Sequence, residues 1–180
     1  MKALRWVLLA QIAFFAVWGG SLLTSHRVAQ EVWLETGPVD PRDLLAGHYV
    51  ALTYPLVRNA EELCETVRPR SSPGPVYVRL APGSEPVLTI EGPVTPSHGV
   101  ECRADPPRGD AGTWIAGERR PQPATSRIQF GIERFYVPES SPLRRVPSGQ
   151  AVAKIAINDA HVPRILDLVP TLPDVTPGPR

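Results

Sequence analysis

Gly47-His48-Tyr49-Val50-Ala51-Leu52-Thr53-Tyr54 is the stretch on which the fold turns, because its apolar residues recur with a period of two. Val50, Leu52 and Tyr54 share one face of an extended chain, and Tyr49, Ala51 and Thr53 share the other. A helix would need a repeat near 3.6, so the pattern predicts a strand, approached through a turn that Gly47 permits.

Working outward, residues 30–36 (Gln-Glu-Val-Trp-Leu-Glu-Thr) read as a preceding strand, with β-branched and aromatic residues among polar ones. Between the two, Asp40-Pro41-Arg42-Asp43 has the form of a helix start, Asp40 as N-cap and Pro41 at the first helical position, with space for one turn before Gly47. Downstream, residues 59–67 predict the domain's one convincing helix, Leu63 and Val67 lying one turn apart. Pro69 and the Ser71-Ser72-Pro73-Gly74-Pro75 cluster end it.

Residues 76–80 and 86–90 read as a hairpin around Pro82-Gly83-Ser84, and the polar, Pro- and Gly-rich residues 105–112 as a loop. Strands follow at 113–116, 127–130 and 135–137. Residues 150–157 and 161–169 form a last hairpin about Asn158-Asp159, with Pro163 restricting its second strand to a sheet edge. The 22 Pro and 14 Gly among 180 residues disfavour long helices in this region. The expected fold class is mainly β (α+β): one N-terminal membrane helix, then one small β-rich domain with one short helix.

The membrane helix is read from residues 6–23, eighteen residues without a formal charge, flanked by Lys2 and Arg5 before and Arg27 after. Only Gln11 interrupts the apolar run, Trp6 and Trp18 suit the two interfaces, and no good small-x-small cleavage site follows. A retained anchor is preferred to a cleaved signal peptide. The flanking charges put the N-terminus in the cytoplasm and the domain outside. The expected division is 1–27 anchor or uncleaved signal sequence, 28–169 extracytoplasmic domain, and 170–180 a disordered Pro-rich tail.

A net charge of +1 leaves no basic excess to hold a phosphate backbone, so nucleic acid is not an expected partner. His26, His48, His98 and His161 show no metal-ligand spacing, and no Gly-rich phosphate loop occurs, so no metal or cofactor is assigned. Glu133-Arg134 interrupts an aromatic strand, so one of the two charges should face inward and need a partner, expected to be a structural ion pair. Cys64 and Cys102 are the only cysteines. In an oxidising compartment they would pair, whereas the rival account makes Cys64 a small buried hydrophobe and Cys102 an incidental strand residue.

The eight residues from Gly47 to Tyr54 resemble the motif that names the GDYxxLxY family of small bacterial membrane-anchored proteins. Phe130-Gly131-Ile132-Glu133-Arg134-Phe135-Tyr136-Val137-Pro138-Glu139 is similar to that family's second block. The motif residues carried over are Gly47, His48, Tyr49, Leu52, Tyr54, Gly131, Glu133 and Arg134, with His48 standing where the motif has Asp. The resemblance implies a partner, a multi-spanning membrane protein, and no particular reaction. Pro38-Val39-Asp40-Pro41 with Gly47 also resembles a segment of signal-peptidase-like Ser-Lys hydrolases, which would make Lys154 the base. There the nucleophile position is Pro38, which has no hydroxyl to activate. The preferred role is a non-catalytic accessory to an integral membrane protein; the alternative is an enzyme of unrecognised type, whose sign would be a pocket gathering His48, Tyr49, Tyr54 and Glu133.

Overall fold

The computed structural model of the chain describes residues 2–25, 28–37, 49–120, 127–136 and 149–172. Helix α1 (Lys2–Ser25) comes first, with apolar residues spread around its whole circumference and no charged face. The side chains described in it are those of residues 5–21, and among the described residues no helix is long and apolar enough to cross a membrane.

Strand β1 (Val28–Glu35) follows α1 within three residues. It pairs antiparallel with β10 (Ala151–Asn158), which pairs in turn with β11 (Pro163–Pro170). β10 is buried at six of its eight positions, as a strand flanked on both edges and covered on both faces must be. The turn between β10 and β11 is built by Asn158, whose Oδ1 accepts the N–H groups of Ala160 (3.1 Å) and Val162 (2.9 Å). Pro163 opens β11 at the edge of this sheet, where its missing donor costs no ladder bond.

A second antiparallel sheet has the order β6 (Ser97–Arg103), β3 (Gly74–Pro82), β7 (Thr113–Arg120), β8 (Arg127–Gln129). Val76, Val78 and Leu80 of β3 join Ile115 and Ile128 in one apolar cluster with Leu34, Ala153, Ile155, Ile157 and Leu168 from the first sheet. Helix α2 (Pro55–Leu63) closes that cluster with Leu56 and Ala60, packing on β6 and β8.

The helix lies four residues N-terminal of the expected position. Pro55 is pre-organised for the first helical position and Tyr54 is extended before it, so the helix starts there and not at Asn59. Leu56 and Ala60, not Leu63 and Val67, make the buried pair, and Val67 is exposed in the turn beyond the helix. The chain leaves the helix at Cys64, which is joined to Cys102 of β6 with the two Cα atoms 5.2 Å apart.

The expected hairpin of residues 76–80 with 86–90 does not form. Both edges of β3 are taken by β6 and β7, so β4 (Val87–Thr89) pairs instead with β5 (Gly92–Val94). Thr89 makes that turn, its hydroxyl donating to the Gly92 carbonyl (2.7 Å) and accepting from the Glu91 N–H (3.2 Å). Gly92, at φ +127°, holds a conformation that a side chain would disfavour.

Pairing also continues past residue 169, where an unstructured tail was expected to begin. The Pro170 carbonyl accepts from the Ile90 N–H, Thr171 bridges to Thr89, and the Leu172 N–H donates to Leu88 at 2.9 Å. Proline keeps its acceptor and can end an edge strand that still bonds to a neighbour. The expected helix start at residues 40–43 and the stretch 173–180 lie outside the described residues.

Candidate functional site

The two motif blocks meet. Strand β2 (Tyr49–Ala51) pairs antiparallel with β9 (Arg134–Tyr136), placing Tyr49 opposite Tyr136, Val50 opposite Phe135 and Ala51 opposite Arg134. The ladder is extended by the Leu52 N–H, which donates to the Glu133 carbonyl at 2.8 Å. The strand is shorter than expected, but Leu52 and Tyr54 are buried on one side as the alternation required. Gly47 and His48 lie outside the described residues.

Tyr54 carries the second tie. Its hydroxyl, buried with the rest of the side chain, donates to the Ile132 carbonyl at 2.9 Å. Burial, and next the charge of Glu133, push its ionisation well above the ordinary tyrosine range, so the proton stays where the bond needs it. Just before β9 the chain turns at Gly131, whose φ of +78° is a conformation glycine adopts without penalty. The Glu133 carboxylate closes that turn by accepting the Phe130 N–H at 2.7 Å. Glu133, the less exposed of the Glu133-Arg134 pair, thus has a backbone partner for its charge. A carboxylate three residues downstream of an unsatisfied N–H satisfies it locally, which costs less than burying a second charge.

Lys154 is held in an ion pair. Its ammonium lies 2.8 Å from Glu31 and 5.9 Å from the Trp33 ring. The hydrogen bond and charge of Glu31 raise its pKa, so it holds its proton more firmly than a free lysine. His98 is exposed on β6, while His161 sits in the β10–β11 turn at φ +63° with its ring 6.0 Å from that of Tyr77. Among the described residues no three His, Cys, Asp or Glu side chains come together as a metal site would need. His26 and His48 lie outside the described residues.

Tyr54 lines a cleft of about 430 Å³ with Thr53, Arg58, Glu61 and Arg127, and Glu133 is not part of that lining. A second cleft, of about 280 Å³, runs between Arg134, Phe135 and Tyr136 of β9 and Pro163, Arg164 and Ile165 of β11. Arg164 was not singled out from the sequence, since its partnership with the second motif block depends on the long-range placement of β11. Arg119 was missed as well. It is wholly buried, none of its three guanidinium nitrogens has a hydrogen-bond acceptor, and Glu65 lies 3.8 Å away.

Residues 11–158 match the sequence family described as GDYXXLXY protein. The chain belongs to that family. The GDYXXLXY match begins inside α1, ends with the last residue of β10, and includes both motif blocks and both cysteines. No curated protein and no solved structure is significantly similar to the chain. Within the described part of the GDYXXLXY motif, the Tyr54 hydroxyl ties the first block to the second, and the Glu133 carboxylate closes the turn inside the second.

Proposed function

We propose that the chain is a membrane-tethered, non-catalytic module whose β-rich domain lies outside the cytoplasm and docks onto an integral membrane protein. The observation that carries this reading is the surface of α1. Trp6, Leu8, Leu9, Ile12, Phe14, Phe15 and Val17 are each more than half exposed, and their spread around the axis suits a helix with apolar surroundings on every side. Its 24 residues span about 36 Å at the usual helical rise, against a hydrocarbon core of about 30 Å. Lys2 and Arg5 before the apolar run favour a cytoplasmic N-terminus.

The commitment of Tyr54, Glu133 and Lys154 to internal bonds favours a binding role over an enzyme. Two experiments test the proposal. Protease added to intact spheroplasts should digest the domain and leave a membrane-bound N-terminal fragment; a domain that survives until lysis reverses the orientation, and a soluble mature chain starting near Leu22 removes the anchor. Extraction in mild detergent followed by affinity purification should recover one multi-spanning protein in fixed ratio with the chain. Recovery of the chain alone sinks the accessory role.

A further inference from the structure

The cleft between β9 and β11 is lined by Gly131, Ile132, Phe135, Tyr136, Pro163, Ile165 and two arginines, Arg134 and Arg164. Among its described lining residues there is no carboxylate, whereas two other clefts hold at least one each, Glu61 in the cleft beside Tyr54 and Glu35 with Glu85 in one between α2 and the residues around Gly83. Both arginines are exposed, and Tyr136 is 71% exposed although it sits in a strand. A cationic, aromatic-edged recess with an apolar floor is complementary to a phosphodiester that carries glycerol and acyl carbons beside its charge.

Its place in the chain narrows the choice of ligand. Val28 begins β1 three Cα steps after Ser25, which puts it within about 11 Å of the end of α1. Val28 pairs with Asn158, Ile157 with Pro163, and both Val32 and Ile165 pair with Ile155. The β11 side of the cleft therefore lies within about four residues, roughly 13 Å of strand, of the end of the sheet that α1 feeds. Val162, 53% exposed in the adjoining turn, adds an apolar side chain at that same end.

The geometry points to this cleft as a binding site for the headgroup phosphate of an anionic phospholipid in the membrane that holds α1, with Arg134 and Arg164 as the two cationic contacts. The inference rests on α1 being a membrane helix. Binding there would fix the domain's tilt on the bilayer and so orient the rest of its surface toward a membrane partner.

Titration of the full chain in non-ionic detergent with dihexanoyl-phosphatidylglycerol, followed by native mass spectrometry, tests it directly. The wild-type chain should bind this lipid well above dihexanoyl-phosphatidylcholine. The variant Arg134→Gln/Arg164→Gln should bind it about thirty-fold more weakly, two arginine contacts being lost. The variant Arg70→Gln/Arg120→Gln, with the same change in net charge on exposed residues away from the cleft, should bind as wild type. Equal affinity for the two lipids, equal loss in both double variants, or competition by inorganic phosphate at matching concentration each overturns the headgroup assignment. An alkaline carbonate wash of native membranes separates the two readings. If the chain is released, the membrane helix fails and the headgroup site with it; if the chain is retained while the titration shows no preference, only the headgroup site fails.

Discussion

Arg119 offers the sharpest test of how this core is held together, because its burial sets a large penalty against a small gain. The side chain is 0% exposed, and Nε, Nη1 and Nη2 all lack acceptors. Its acidic partner among the described residues, Glu65, stands 3.8 Å from Nη1 with its own side chain 46% exposed. At that distance the attraction is about 4 kcal/mol for an effective dielectric of 20 and about 1 kcal/mol for water, and the exposed glutamate belongs nearer the lower figure. Against it stand a desolvation cost of several kcal/mol for the guanidinium and about 1–3 kcal/mol for each buried donor left unbonded. The penalty wins.

Arg119→Met keeps an unbranched chain of similar reach and removes the charge and every donor. The expected result is a gain of about 1–3 kcal/mol in unfolding free energy, measured by urea titration of the full chain in mild detergent and followed by near-ultraviolet circular dichroism. Glu65→Gln should lose about 1 kcal/mol, since it strips the buried cation of its counter-charge, and it should cost less in the Arg119→Met background, where only its exposed pair with Arg70 is left to lose. A loss of more than about 1 kcal/mol in Arg119→Met would refute the reasoning, because it would mean that the guanidinium contributes more than its burial costs.

Three further perturbations follow from the same structure. Tyr54→Phe should cost about 1–2 kcal/mol at neutral pH, by leaving the Ile132 carbonyl without its donor. Its pH dependence has a definite sign: tyrosine in the unfolded chain ionises near pH 10 while Tyr54 in the fold does not, so above pH 10 the unfolded state binds fewer protons. Wild-type stability should then fall by up to about 1.4 kcal/mol per pH unit relative to Tyr54→Phe, and parallel curves would show that the hydroxyl is not held neutral. Cys64→Ala/Cys102→Ala should lose about 4 kcal/mol by the chain-entropy estimate for a bridge spanning 38 residues, read as a fall in the urea midpoint. Gly131→Ala should cost about 1–2 kcal/mol from its φ of +78° alone, since an added Cβ has open space around it; an unchanged melting temperature would rule out that strain.

What the sequence made legible was local. The β10–β11 hairpin could be read because alternation and an Asn-Asp turn coincide, and Asn158 supplies the bonds the turn needs. Strand β6 could not, since Ser-His-Gly-Val-Glu-Cys-Arg has weak alternation and its partner, β3, is chosen by the long-range competition that also denied β4 that edge. Helix α2 was displaced because the Leu63 and Val67 spacing has the form of an apolar face, whereas Pro55 fixes the start through its own φ and Leu56 and Ala60 are the residues it buries. Glu118-Arg119-Arg120 looks like the charged end of a strand; β7 continues through it, sending Glu118 and Arg120 outward as a 2.7 Å ion pair and Arg119 inward.

The same distinction explains why the family motif was recognisable while its role was not. Tyr49 to Tyr54 and Phe130 to Tyr136 are separated by a long stretch of sequence, and nothing local in either says that β2 will lie against β9. Once paired, Tyr54 and Glu133 both close bonds within a few residues of Gly131, at Ile132 and Phe130, and Leu52 donates between them. A reaction needs polar groups whose bonding capacity is kept for a substrate. Here the Tyr54 hydroxyl ties two distant segments together and the Glu133 carboxylate closes the turn within the second, which sets the position of Arg134 and Tyr136 along β9. The second block thereby carries the cleft that faces β11, so a change at Tyr54 should weaken binding at that cleft even though Tyr54 lines a different one. Short-chain phosphatidylglycerol binding to Tyr54→Phe, at a temperature where the variant is still folded, should fall at least a few-fold below wild type, as expected when a binding residue loses its positioning support. Unchanged affinity would separate the Tyr54 tie from the cleft and leave the motif a purely stabilising role.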